Sequence, residues 1–341
     1  MTRELALVVA CCAAAFGGCD HPVSCEGIGW SRFVRLARFH RVQGLVWNGL
    51  KSSGIDAETL ALDAQSIVAT NLRIAREARA LKTHFDEAGI SLLFVKGLTL
   101  GALAYPNPPL KMGWDIDLLV APEDLSQAGR ILAECGYRPE LPSNLSKLGS
   151  WHRRHKESVW RQDDLYVELH TQLADNPSLI PTIDVRSCRQ DVEVATGITL
   201  PTLATDELFA YLCIHGASSA WFRLKWITDL AALIHGLPAA EIERLYERSQ
   251  ELGAYRAADQ ALLLADVLYG SLDGTNLREK LHQTRSSRIL FEAALNQLNN
   301  SSEPTERRLG TWRIHWTQLL LKRGLGFKAG EALRQVRTAV A

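Results

Sequence analysis

Net charge is what this sequence lacks most plainly. Its 38 lysines and arginines are balanced by 38 aspartates and glutamates, and its isoelectric point is near 7.1. No global field draws such a chain to RNA or DNA. A small molecule, peptide or protein is therefore the expected partner class ahead of a nucleic acid. A long apolar run is missing as well. The stretch from Leu5 to Phe16 is too short to span a bilayer, and no other segment is a candidate. Gly17-Gly18-Cys19 follows it and gives it the outline of a secretory or lipoprotein signal. Against that, Glu4 beside Arg3 leaves little positive charge in front, and Phe16 fits poorly three residues before a lipidated cysteine. The expectation is a packed helix in a cytoplasmic protein. The seven cysteines are odd in number and form no framework. Cys19, His21 and Cys25 lie close together but without a C-x-x-C knuckle, so reduced, buried thiols are expected. There is no Walker A loop, no G-x-S-x-G elbow, no H-E-x-x-H helix, and no repeat or low-complexity tract.

What the sequence does have is Asp115-Ile116-Asp117-Leu118-Leu119-Val120, two carboxylates two apart inside an apolar run. In a strand, residues i and i+2 point to one face, so both acids project together. Like charges held that close repel unless a cation lies between them, and a hard divalent ion such as Mg²⁺ takes oxygen ligands. An edge strand with its polar face in water is the alternative. The surroundings favour the metal. Upstream, Ser91 to Val95 reads as a buried strand ending in Lys96-Gly97, and a helix-like stretch runs from Leu98 to Tyr105. A glycine at such a turn lets backbone N–H groups approach a phosphate. Downstream, Leu165 to His170 reads as another strand with Glu168 and His170 on one face. Asp115, Asp117 and Glu168 thus form a candidate three-carboxylate site on adjacent strands, suited to two metal ions.

Three regions follow from the patterning. Residues 1–88 read as helical, with Asp56 as the N-cap of a long helix. Residues 89–204 alternate strands and helices. In them a helix opens at Pro122-Glu123-Asp124 and runs to Cys135 before Gly136. A polar loop covers Arg138 to Ser150, Trp151–Trp160 and Leu165–His170 pair across Gln162-Asp163-Asp164, and a last strand covers Ile198–Leu203. Residues 205–341 turn helical again, with helices over 205–218, 224–235, 238–252, 255–269 and 287–298 and a basic, amphipathic tail. The fold class is α+β (mixed α/β), a small mixed sheet flanked by N-terminal and C-terminal helical regions.

The ordered set Phe94…Lys96-Gly97…Tyr105…Lys111…Asp115-Ile116-Asp117…Gly136-Tyr137, then Val167-Glu168-Leu169-His170 and His215-Gly216…Trp221…Asp229, resembles a family of bacterial nucleotidyltransferases. That family lies in the DNA polymerase beta-like nucleotidyltransferase superfamily, and Trp30…Leu36…His40 fits it too. The resemblance implies a nucleotidyltransferase-type core at 89–204 and a Mg²⁺-dependent transfer from an NTP, ATP foremost, to a hydroxyl. Two Mg²⁺ ions are implied, with Mn²⁺ as a substitute. It implies Asp115, Asp117 and Glu168 as catalytic metal ligands. Gly97 takes the turn-glycine position, but Leu98 follows where the superfamily usually has Gly or Ser, leaving Thr99 as the nearest hydroxyl. Lys111 stands where relatives often have Arg, keeping the charge but not the bidentate geometry.

Lys96, Lys111, Arg223 and Lys225 are candidate phosphate contacts, and His170 and His215 candidate substrate contacts; solvated faces or satisfied histidines are the alternatives. The run His152-Arg153-Arg154-His155-Lys156 is either a contact for an acidic acceptor or a charged loop. The tail basics, from Arg307 and Arg308 through Arg337, suit a packed terminal helix or a docking helix. The altered turn also motivates a different class of function, a nucleotide-sensing scaffold with weak or no transfer.

Overall fold

The computed structural model describes residues 1–18, 23–300 and 310–340. Four helices open the chain: α1 (Arg3–Ala15), α2 (Trp30–Phe39), α3 (Gln43–Ser52) and the long α4 (Glu58–Glu87). The apolar N-terminal run is α1, and its Leu5, Val8, Cys11 and Cys12 are buried. The cap of α4 is Ala57 with no side-chain hydrogen bond, so Asp56 does not hold its expected N-cap role. Among the described residues no helix is long and apolar enough to cross a membrane.

The sheet region follows as β1 (Leu92–Phe94), α5 (Leu98–Ala104), β2 (Asp115–Val120), α6 (Leu125–Glu134), β3 (Arg138–Leu141), α7 (Leu148–His152), β4 (Glu157–Gln162), β5 (Leu165–His170), β6 (Arg189–Ala195) and β7 (Ile198–Leu203). Five strands form one mixed sheet in the order β1-β2-β5-β4-β3, and β6 and β7 form a separate hairpin. β2 and β5 run parallel, and the other neighbours antiparallel. β4 and β5 do pair across residues 163–164, but β4 starts at Glu157 because α7 takes up Leu148–His152. The expected polar loop at 138–150 contains an edge strand. Its polar, Pro-bearing sequence hides the alternation, and an edge tolerates proline.

Then come α8 (Thr205–Ser218), α9 (Leu224–Ile234), α10 (Ala239–Leu252), α11 (Tyr255–Tyr269), α12 (Leu277–Gln283), α13 (Arg285–Leu298), α14 (Trp312–Gln318) and α15 (Leu325–Val340). Arg307 and Arg308 lie outside the described residues, as do Cys19 and His21. The other six cysteines are free thiols, with Cys188 exposed.

The sheet has two unlike faces. Ile116, Leu118, Val167, Leu169 and Trp160 point to one side and pack with Ala78, Leu81 and Phe85 of α4 and with Ala128 and Leu132 of α6. The residues between them point the other way, toward α8 and α9. A larger core joins α1 and α3 with α8, α9 and α11, so helices from both ends of the chain share one interior.

Candidate active site

The register of two strands builds the site. Asp115 lies opposite Tyr166, Asp117 opposite Glu168, and Leu119 opposite His170. Cross-strand partners share a face, so Asp115, Asp117, Glu168 and His170 project together. β4 adds Glu157 directly opposite His170.

The turn after β1 supplies the positive charge. Gly97 has φ +61, which a glycine adopts without a Cβ penalty, and the chain reverses there into α5. The Thr99 hydroxyl is buried against the carbonyls of Phe94 and Lys96, both at 3.0 Å, and holds the turn from inside. Lys96 Nζ lies 2.7 Å from Asp117 Oδ1. A second clamp acts before β2, where Asn71 of α4 donates to the carbonyls of Pro109 (2.8 Å) and Lys111 (2.7 Å). Gly113 is needed beside it, because a Cβ there would sit 2.2 Å from Asn71 Oδ1.

Lys96, Gly97, Lys111, Asp115, Asp117, His215 and Lys225 line one narrow cavity of about 40 Å³, with Asp229 and Trp226 completing the wall. Lys111 Nζ is 3.4 Å from Asp229 Oδ2, whose other oxygen accepts from Tyr105 Oη at 2.8 Å. Glu168 and His170 adjoin this cavity behind Asp117. His170 Nε2 lies 3.2 Å from Asp117 Oδ1 and 3.5 Å from Glu168 Oε2, while Nδ1 is 3.3 Å from Glu157 Oε2. Arg223 is elsewhere. Its guanidinium donates to the Phe39 carbonyl and stacks on Phe39 and Phe222, which fastens α2 to the start of α9.

Charge is unevenly compensated. Burial, together with repulsion from Asp117 and Glu168, pushes the Asp115 carboxyl up to about 6. Burial acts the same way on Asp117, but Lys96 and His170 outweigh it and hold that carboxyl well below the usual range. His170 is raised to about 9: burial opposes its charge, and the bonds to Asp117 and Glu168 overcome that. Lys225 has no ion-pair partner among the described residues, so burial lowers it to about 8 despite Asp115. Burial, helped by Lys96 and Lys156, keeps His215 well below its ordinary value and thus neutral.

The donor set suits a hard cation. Asp117, Glu168 and His170 each offer a ligand atom, and these atoms lie within 4.8 Å of one another. Asp115 stands outside that group, yet it is the carboxylate whose charge is least neutralised. A bound divalent ion would relieve that repulsion. The partly buried Lys96 and the His170 imidazolium supply positive charge to Asp117 meanwhile.

Glu157 escaped the sequence reading. Its signal was the pairing of β4 with β5, which sets it opposite His170, but the strand was expected to begin at Trp151 and the register was not drawn. Asp229, expected in a cluster with His215, Arg223 and Lys225, pairs with Lys111 instead of a basic neighbour on its own helix.

Residues 26–270 match the model of a family described as "uncharacterised nucleotidyltransferase". No curated protein matches the chain.

Proposed function

The chain belongs to this uncharacterised nucleotidyltransferase family, and from that premise we propose a metal-dependent enzyme that moves a nucleoside monophosphate from an NTP to a hydroxyl, releasing pyrophosphate. The observation that carries the reading is the in-register placement of Asp117 and Glu168 on parallel strands, with Asp115 and His170 on the same face. Asp115, Asp117 and Glu168 would hold Mg²⁺, two ions in the fullest form. Bound there, the metal would neutralise triphosphate charge and favour the alkoxide form of the acceptor. The mixed sheet agrees with the polymerase beta-like superfamily.

The chain's own groups have distinct tasks. Lys96, Lys225 and Lys111 gather on the phosphate side of the carboxylates, with the Gly97 turn beside them. Glu168 takes the acceptor proton. The acceptor oxygen bonds to the α-phosphorus, the bond to the bridging oxygen breaks, and pyrophosphate leaves with that electron pair. With a divalent ion held by Asp117, Lys96, now paired with that carboxylate, would be left to contact the departing phosphates. Positioning and charge compensation carry the rate.

A second reading is a nucleotide-binding scaffold. It is favoured by the Lys96–Asp117 pair, which occupies a carboxylate that transfer needs for metal. The test is thermal melting with Mg²⁺ and each NTP, in wild type and in Asp115→Asn/Asp117→Asn. A ligand that binds only the folded state raises Tm. A metal-dependent NTP shift lost in the double variant supports the site, and pyrophosphate release separates enzyme from scaffold. No shift at millimolar ligand sinks both readings of the cavity.

A further inference from the structure

The basic run after α7 forms one wall of a second, larger cavity. Arg153, Arg154 and Lys156 face Arg334 and Arg337 of α15 across a groove of about 350 Å³. Asp175 is the one acidic group in its lining. Five cations against one carboxylate is a strong local excess in a chain of zero net charge. Lys156 is held by Glu157 at 2.8 Å, and Arg334 by Glu331 at 2.6 Å. Arg153, Arg154 and Arg337 have no carboxylate partner among the described residues.

The groove shares no lining residue with the cavity beside Lys96, yet a chain of ion pairs joins its wall to the same carboxylates. Lys156 Nζ touches Glu157 Oε2, that oxygen lies 3.3 Å from His170 Nδ1, and His170 Nε2 lies 3.5 Å from Glu168. The groove therefore lies on the Glu157 side of the cluster, with the fully buried His170 ring between it and Glu168.

We infer that this groove binds the acceptor, a small hydroxyl-bearing molecule that carries a phosphate or carboxylate group. The inference rests on the transfer reading above and adds the acceptor's chemical class. Guanidinium forks match oxyanions bidentately. The volume is that of a small-molecule site. A strand of nucleic acid would want exposed aromatic platforms. The ring at this wall, His155, is already stacked on Trp151 at 3.9 Å between centroids. Pro177 and Leu333 give the groove an apolar side for the body of the molecule.

The test fills the nucleotide site first. Inorganic phosphate and malonate are titrated calorimetrically into full-length protein saturated with Mg²⁺ and a non-hydrolysable NTP analogue. The same titrations are run on Arg153→Ala/Arg154→Ala/Arg337→Ala. Saturable binding of one anion to wild type is expected, weakened about tenfold or more in the triple variant, with NTP-analogue affinity unchanged. Which anion binds distinguishes a phosphate from a carboxylate acceptor. Arg154→Glu alone serves where the triple variant does not fold. Equal binding by wild type and variant, or none by wild type, overturns the assignment. So does a single-stranded RNA oligomer that displaces the anion and is itself lost in the variant. If the NTP analogue fails to bind, the transfer reading falls, and the comparison of wild type with variant, run without nucleotide, still decides whether the groove takes an oxyanion.

Discussion

The two faces of the five-stranded sheet are made by alternate residues of the same strands, yet they obey different rules. On one face Ile116, Leu118, Val167 and Leu169 meet apolar side chains of α4 and α6, and the buried Ser158 opposite Leu169 is satisfied by the Trp160 indole. On the other, Asp115, Asp117, Glu168, His170 and Glu157 meet lysines that are themselves partly buried. The first face stabilises the fold, because apolar burial is favourable wherever it happens. The second is a network in which most charges, Asp115 and Lys225 excepted, are held by a named partner, and removing one partner strands another. Sites concentrate such arrangements.

The largest expected effect is on the charged face. Asp117→Asn removes the carboxylate that Lys96 and His170 share, and pyrophosphate release should fall by about three orders of magnitude. A steady-state pyrophosphate assay checks it; activity within a few-fold of wild type would detach Asp117 from the chemistry. On the apolar face, Leu118→Ala should cost about 2–5 kcal/mol of stability through the cavity it leaves. Denaturant unfolding measures that cost, and NTP affinity of the remaining folded protein should be unchanged. If Leu118→Ala instead weakened NTP binding without unfolding, the two faces would not be separable.

Smaller effects come from pH. Lys225 titrates near 8, so its charge is mostly present at pH 7 and about nine-tenths lost at pH 9. NTP affinity should weaken up to about tenfold over that range, and Lys225→Arg should flatten the curve. His170 acts on stability. Its folded pKa of about 9 lies above the ordinary 6.5. Its contribution is then complete below pH 6.5 and is lost as pH rises through 9. Metal-free unfolding measured between pH 6 and 10 should show that decline in wild type and not in His170→Gln.

The same contrast explains what was legible in the sequence. The apolar face and the helices α8 and α11 announce themselves through periodicity, and their limits fall where the patterning puts them. The pairing of Asp115 with Asp117 was legible because period two needs only one strand. Glu157 was not, because it joins the cluster through a register between strands, and register depends on where β4 begins. Arg223 looked like a phosphate contact on its helix end, but a backbone carbonyl of α2 and two phenylalanine rings claim it. Partners so distant in sequence leave no local trace.

The central claim is that the charged face binds a divalent ion through Asp115 and Asp117. Electron paramagnetic resonance of free Mn²⁺ measures it directly, titrating wild type and Asp115→Asn/Asp117→Asn with the NTP analogue present. Wild type is expected to remove Mn²⁺ from solution saturably at pH 7.5, and more weakly at pH 5, where Asp115 takes up its proton. The double variant is expected to leave the free-ion signal at the level that Mn²⁺ and the analogue give without protein. Equal Mn²⁺ uptake by both proteins, or none by either, would contradict the account.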